Sequence, residues 1–129
     1  MDAENDSTDR VKATKDSWEI TEMPQNKVVL PINKRYSKEE YNKIKQGFIP
    51  KVMEDRWFVY FEDNKLYMHR SWTGNCIYEL NFSKEKVGYK ITKGYLNGNI
   101  ADQIEDIVLK EEVNKALLLI DRILLDKNN

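Results

Sequence analysis

Trp57-Phe58-Val59-Tyr60-Phe61-Glu62-Asp63-Asn64-Lys65-Leu66-Tyr67-Met68-His69-Arg70-Ser71-Trp72-Thr73-Gly74 reads as two strands joined by a tight turn. Aromatic and branched residues crowd both halves, and Asp63-Asn64 tolerate the positive φ that a two-residue hairpin turn requires. That turn pairs Glu62 with Lys65 and carries the register outward through Val59 with Met68 to Trp57 with Arg70. Side chains alternate along a strand. One face therefore holds Trp57, Val59, Phe61, Leu66, Met68, Arg70 and Trp72, and the other holds Phe58, Tyr60, Tyr67, His69 and Ser71.

Outward from the hairpin, residues 75–82 and 87–95 continue an antiparallel meander, with turns at 73–75 and 83–86. A three-residue loop at Thr73-Gly74-Asn75 places Cys76, Tyr78, Leu80 and Phe82 on the first face. A two-residue loop places Asn75, Ile77, Glu79 and Asn81 there instead, and the apolar pattern favours the longer loop. Residues 18–23 and 27–32 are expected to be short strands flanking Met23-Pro24-Gln25-Asn26, with Pro31 directing the second to a sheet edge. Ser37-Lys38-Glu39-Glu40 has the form of a capping box, followed by Tyr41 and Ile44 on one face and by Gly47 as a stop. From Ile100 the period becomes helical, through Ile104, Ile107, Val108, Val113, Leu117, Ile120 and Leu124.

The expected fold is α+β: a curved antiparallel sheet of four to six strands packed by one short helix and one long C-terminal helix. Residues 1–15 are polar and aperiodic, so a flexible N-terminal segment is expected ahead of a single domain over 16–129. The runs at 117–120 and 123–125 make an apolar surface wider than a sheet face needs, which predicts packing on a second element or in a homodimer.

A chain of 129 residues with 40% hydrophobic content can bury a sizeable core. Its 21 basic and 22 acidic residues are interspersed, giving a net charge of -1 and no basic stripe for nucleic acid. The lone Cys76 excludes an intramolecular disulfide and, with one histidine, leaves too few ligands for a structural zinc site. No cofactor or metal is implied. Met1-Asp2-Ala3-Glu4-Asn5-Asp6 is acidic where a secretory signal would be basic and then apolar, and no run approaches membrane-spanning length. The expectation is a cytoplasmic protein with no membrane partner.

Arg70 is the chemical anomaly of the first face, because a guanidinium among aromatic rings can stack on them while aiming planar donors at an anion. Its partner is expected to be an internal acid, such as Asp55 or Glu54, or a ligand. Trp57 or Trp72 would stack a ring of that ligand, and Ser71 and Thr73 would add hydrogen bonds. On the other face, His69 near Glu79 forms a candidate acid-base pair. Cys76 falls on the first face in this register, away from His69, and reads as a small core residue.

The residues Trp57-Phe58-Val59-Tyr60, Leu66-Tyr67-Met68-His69-Arg70-Ser71-Trp72-Thr73-Gly74 and Cys76-Ile77-Tyr78 resemble the "WF-Y…LY-HRSWTG-CIY" core of a bacterial and phage domain group. The match covers about a quarter of the chain, and Met68 stands where the group has an aromatic residue. The resemblance implies an association with ADP-ribosylglycohydrolase-like proteins and no established catalytic residues. The favoured function is a small binding or regulatory domain for an anionic nucleotide-like ligand related to ADP-ribose. One alternative is a protein-interaction module, such as a phage-encoded inhibitor or an assembly subunit, acting through the C-terminal helix. The other is a hydrolase or transferase using His69 and Glu79.

Overall fold

Six strands build one antiparallel sheet in a computed structural model that describes residues 11–127. They are β1 (Lys27–Leu30), β2 (Lys34–Tyr36), β3 (Trp57–Glu62), β4 (Lys65–Arg70), β5 (Cys76–Lys84) and β6 (Tyr89–Asn97), in the spatial order β1-β6-β5-β4-β3 with β2 also beside β6. Asp63 and Asn64 take the left-handed conformation (φ 54° and 64°), so β3 and β4 close in the expected register from Glu62 opposite Lys65 to Trp57 opposite Arg70. Pro31 has no amide to give a ladder. The edge pairing with β6 accordingly stops at Leu30 and resumes at Lys34.

Helix α1 (Lys38–Ile44) begins at the anticipated box: the Glu40 amide donates to Ser37 Oγ at 3.0 Å, and the Ser37 amide donates to Glu40 Oε1 at 2.9 Å. Gly47, at φ +69°, then turns the chain so tightly that a Cβ would collide with the Val59 carbonyl. Helix α2 (Gly98–Ala101) starts under the Asn97 side chain, and α3 (Leu109–Leu119) runs into a π-helical turn, Ile120–Leu124. Tyr41 and Ile44 of α1 and Val113, Ala116, Ile120 and Leu124 of the C-terminal helix cover the first sheet face over Val59, Leu66, Met68, Leu80 and Leu96. The Lys127 ammonium bonds Glu40 at 3.1 Å, tying the two helices at their ends.

Three expectations are corrected. The C-terminal helix is not continuous from Ile100: Asp106 adopts φ 54°, a conformation that L residues visit only singly, and α3 starts afresh at Leu109. Cys76 is not on the first face. The β4–β5 register shifts between Met68 and His69, so that Met68 faces Tyr78, Ile77 is extra and Cys76 stands opposite His69. Residues 18–23 form no strand and touch the sheet through one parallel bridge, Thr21 with Asn75.

Those residues belong instead to a strap across the second face. Trp18 stacks on Phe58 with centroids 6.1 Å apart, its Nε1 donates to the Ser71 carbonyl at 2.9 Å, and the Thr21 amide donates to the Gly74 carbonyl at 2.9 Å. Of the segment expected to be flexible, residues 1–10 lie outside the described residues. Ala13 is fully buried in a cluster with Phe58 and Tyr60, and its amide donates to the Gln46 carbonyl at 2.8 Å.

Candidate functional site

The residues expected to grip an anion do not converge. Arg70 lies over Trp57, its Cζ 5.1 Å from the ring centroid, and Trp57 in turn stacks on Tyr78 at 6.1 Å. No carboxylate pairs with Arg70 among the described residues: Asp55 Oδ2 instead accepts from the Lys51 and Val52 amides at 2.9 and 3.3 Å. Trp72 sits in the following loop, 65% exposed, with Nε1 donating to the Met53 carbonyl at 3.1 Å and Arg56 stacked on its ring. The Ser71 hydroxyl donates to the Asp55 carbonyl at 2.8 Å, and Thr73 Oγ1 accepts from the Asn75 amide at 3.2 Å. The Ser71 hydroxyl therefore ties its loop to the segment before β3, and Thr73 stays within its own turn. Arg70 stacks on Trp57, while Ser71 and Trp72 line a separate pocket with Trp18 and Asp55.

The second face assembles more. His69 is 1% exposed, and its Nδ1 lies 2.9 Å from the Gly74 carbonyl, an acceptor only, so Nδ1 carries the proton and Nε2 keeps a lone pair. Gly74 adopts φ +80°, and a Cβ there would lie 2.6 Å from the Glu19 carbonyl, so the strap approaches this turn as only glycine permits. The imidazole stacks on Tyr60 at 5.6 Å, and Tyr60 stacks on Tyr67 at 4.9 Å. Nε2 has no hydrogen-bond partner among the described residues.

His69, Tyr60, Tyr67 and Glu79 line a cavity of about 250 Å³ whose remaining wall is Glu62 and the strap residues Lys15, Glu22 and Met23. Glu79 is 4% exposed, and its charge is met by the Lys27 ammonium at 3.2 Å, which also lies 4.3 Å above the Tyr95 ring. Sequence reasoning put His69 and Glu79 on a common face, and the cavity joins them. It missed Lys27 and the strap, whose sole local signal is the apolar alternation of Trp18 and Ile20.

Burial sets the protonation states. It lowers the His69 pKa and so favours the neutral imidazole, while the bond to the Gly74 carbonyl acts in the opposite direction. Burial, followed by the charge of Glu79, pushes Tyr67 up to about 12 and the Cys76 thiol up to about 12. Tyr60 is also raised, by burial and then by Tyr67. The site thus presents a fixed-tautomer imidazole acceptor beside two protonated phenols. Cys76, opposite His69, stays a thiol and is not an activated nucleophile.

Comparisons with family models, with curated proteins and with solved structures give no match.

Proposed function

We propose that this chain is a small binding domain whose ligand enters the His69 cavity and donates a hydrogen bond to Nε2. The carrying observation is the buried, unpartnered Nε2 itself. Leaving such an acceptor unsatisfied costs about 1–3 kcal/mol, and folded proteins retain few such groups. A ligand donor offsets that cost, whereas a second side chain would close the cavity. Binding is favoured over acid-base catalysis because Glu79, the expected partner of His69, is tied to Lys27.

The test is a small-molecule screen by thermal shift, followed by 15N NMR of the imidazole. A ligand at about 100 times its Kd adds roughly 2.7 kcal/mol of stability, and a cavity ligand should move the His69 Nε2 resonance. His69→Asn keeps the donor to the Gly74 carbonyl, loses Nε2, and should abolish the response. Hits that leave both Nε2 and the His69→Asn response untouched would refute the reading.

A second reading, an anionic nucleotide-like ligand related to ADP-ribose, is favoured by one observation: the half-buried Arg70 guanidinium stacks on Trp57 without a carboxylate among the described residues. Binding of ADP-ribose that is lost in Arg70→Lys, with folding intact, would support it.

A further inference from the structure

We infer that the ligand of the His69 cavity is a small organic amine, bound through its protonated nitrogen; this rests on the cavity reading above. Three acidic residues, Glu22, Glu62 and Glu79, and one basic residue, Lys15, line the space. Lys27 neutralises Glu79, at 3.2 and 3.5 Å from its two oxygens. The balance left for a ligand is therefore acidic, with Glu22 and Glu62 against Lys15. An anion entering here meets the two acidic residues, with the buried lone pair of a neutral imidazole in the wall behind them. An ammonium meets acceptors at each of them.

The aromatic lining points the same way. Tyr60 and Tyr67 are stacked side by side in the wall, and a ring face attracts a cation within about 6 Å of its centroid. The protein already uses this combination of ring and carboxylate next door, where the Lys27 ammonium sits 4.3 Å over Tyr95 and bonds Glu79. His69 supplies the observation independent of charge: a side chain 1% exposed, lining the cavity, with a ring nitrogen that only a donor can satisfy. An ammonium brings three donors, enough for Nε2 and two carboxylate oxygens. At about 250 Å³ the cavity lies below the range of about 300–1,000 Å³ usual for drug-sized ligands, so the amine is compact.

The experiment titrates the full chain at pH 7.5 by calorimetry with benzylamine and 1,4-diaminobutane, against benzyl alcohol, 1,4-butanediol and inorganic phosphate. The amines should bind about tenfold or more tightly than the matching alcohols, since an ammonium adds ion pairing with the carboxylates and attraction to the ring faces to its hydrogen bonds. Glu22→Gln combined with Glu62→Gln, both at exposed positions, should weaken the amines about tenfold and the alcohols by clearly less, because a hydroxyl loses no ion pair. His69→Asn should weaken both series; if that variant does not fold, the shift of the Nε2 resonance on titration reports the same contact. Alcohols binding as tightly as amines, with Nε2 shifted, would overturn the amine and leave the cavity reading standing. Phosphate binding more tightly than either would also overturn it. No probe reaching Nε2 would overturn both.

Discussion

Tyr78→Phe removes one oxygen from the centre of the protein and should destabilise it more than its size implies. The Tyr78 hydroxyl donates to Glu112 Oε1 at 2.8 Å, joining β5 to α3, and both residues are buried, at 3% and 6% exposure. The other Glu112 oxygen reaches Lys115 at 3.0 Å, but that lysine side chain is 63% exposed and screened by water, so it compensates the carboxylate weakly. Phe keeps the ring and its stack on Trp57. What is lost is a hydrogen bond to a charged group, about 1.5–3 kcal/mol. At about 4 °C per kcal/mol for a domain of this size, the melting temperature should fall by about 6–12 °C. The assay is paired urea and thermal denaturation of the parent, Tyr78→Phe, Glu112→Leu and the double variant. Removing the carboxylate as well should recover much of the loss, because the Phe variant strands a buried charge. A Tyr78→Phe protein within 0.5 kcal/mol of the parent, or additive single variants, would show that water reaches Glu112 and that the bond is not a tie between sheet and helix.

Ile120→Ala, at a fully buried position in the π-helical turn, should cost about 2–5 kcal/mol at any protein concentration; a loss seen only at low concentration would assign that face to a dimer. The unfolded chain protonates His69 near its ordinary 6.5 and the folded chain only below it, so stability should fall as pH drops through 6.5 and level off below the folded value. His69→Asn should flatten that decline in denaturation curves between pH 7.5 and 5.5, and Glu40, whose pKa is held below 4.5 by the Ser37 amide, does not act in this window. Arg70→Ala should cost about 0.5–1 kcal/mol, the value of a partly exposed cation over a ring. A loss of about 3–5 kcal/mol there would instead reveal a buried carboxylate partner.

The hairpin was legible because its determinants are adjacent in sequence: Asp63-Asn64 set the turn, and strict alternation then fixes which of Phe58, Val59, Tyr60 and Phe61 faces the core. The Ser37 box was legible for the same reason, a bond spanning three residues. The extra residue at Ile77 was not, because Ile77 is apolar and joins the core beside Tyr78, so the pattern is satisfied with or without the bulge. Only the pairing reveals that Cys76 faces His69. The gap before α3 was hidden similarly, since Ile104, Ile107 and Val108 keep helical spacing while Asp106 breaks the backbone. At the site, His69 and Glu79 share a sheet face by parity alone. Lys27 reaches Glu79 across 52 positions of sequence, and such a pairing has no local signature.

One oxygen, the Gly74 carbonyl, accepts from both the His69 ring and the Thr21 amide. The bond that fixes the imidazole tautomer is thus anchored to the same atom that pins the strap, and the strap supplies Lys15, Glu22 and Met23 to the cavity wall. Lifting the strap would break the Thr21 bond to that oxygen and the Trp18 stack on Phe58, so a ligand held between strap and sheet is expected to favour the closed strap. Amide hydrogen exchange makes this measurable. Protection at Ala13 and Thr21 should rise with the logarithm of ligand concentration, while the amides of β5 and β6, which have no part in the opening, should exchange at the rate of global unfolding throughout.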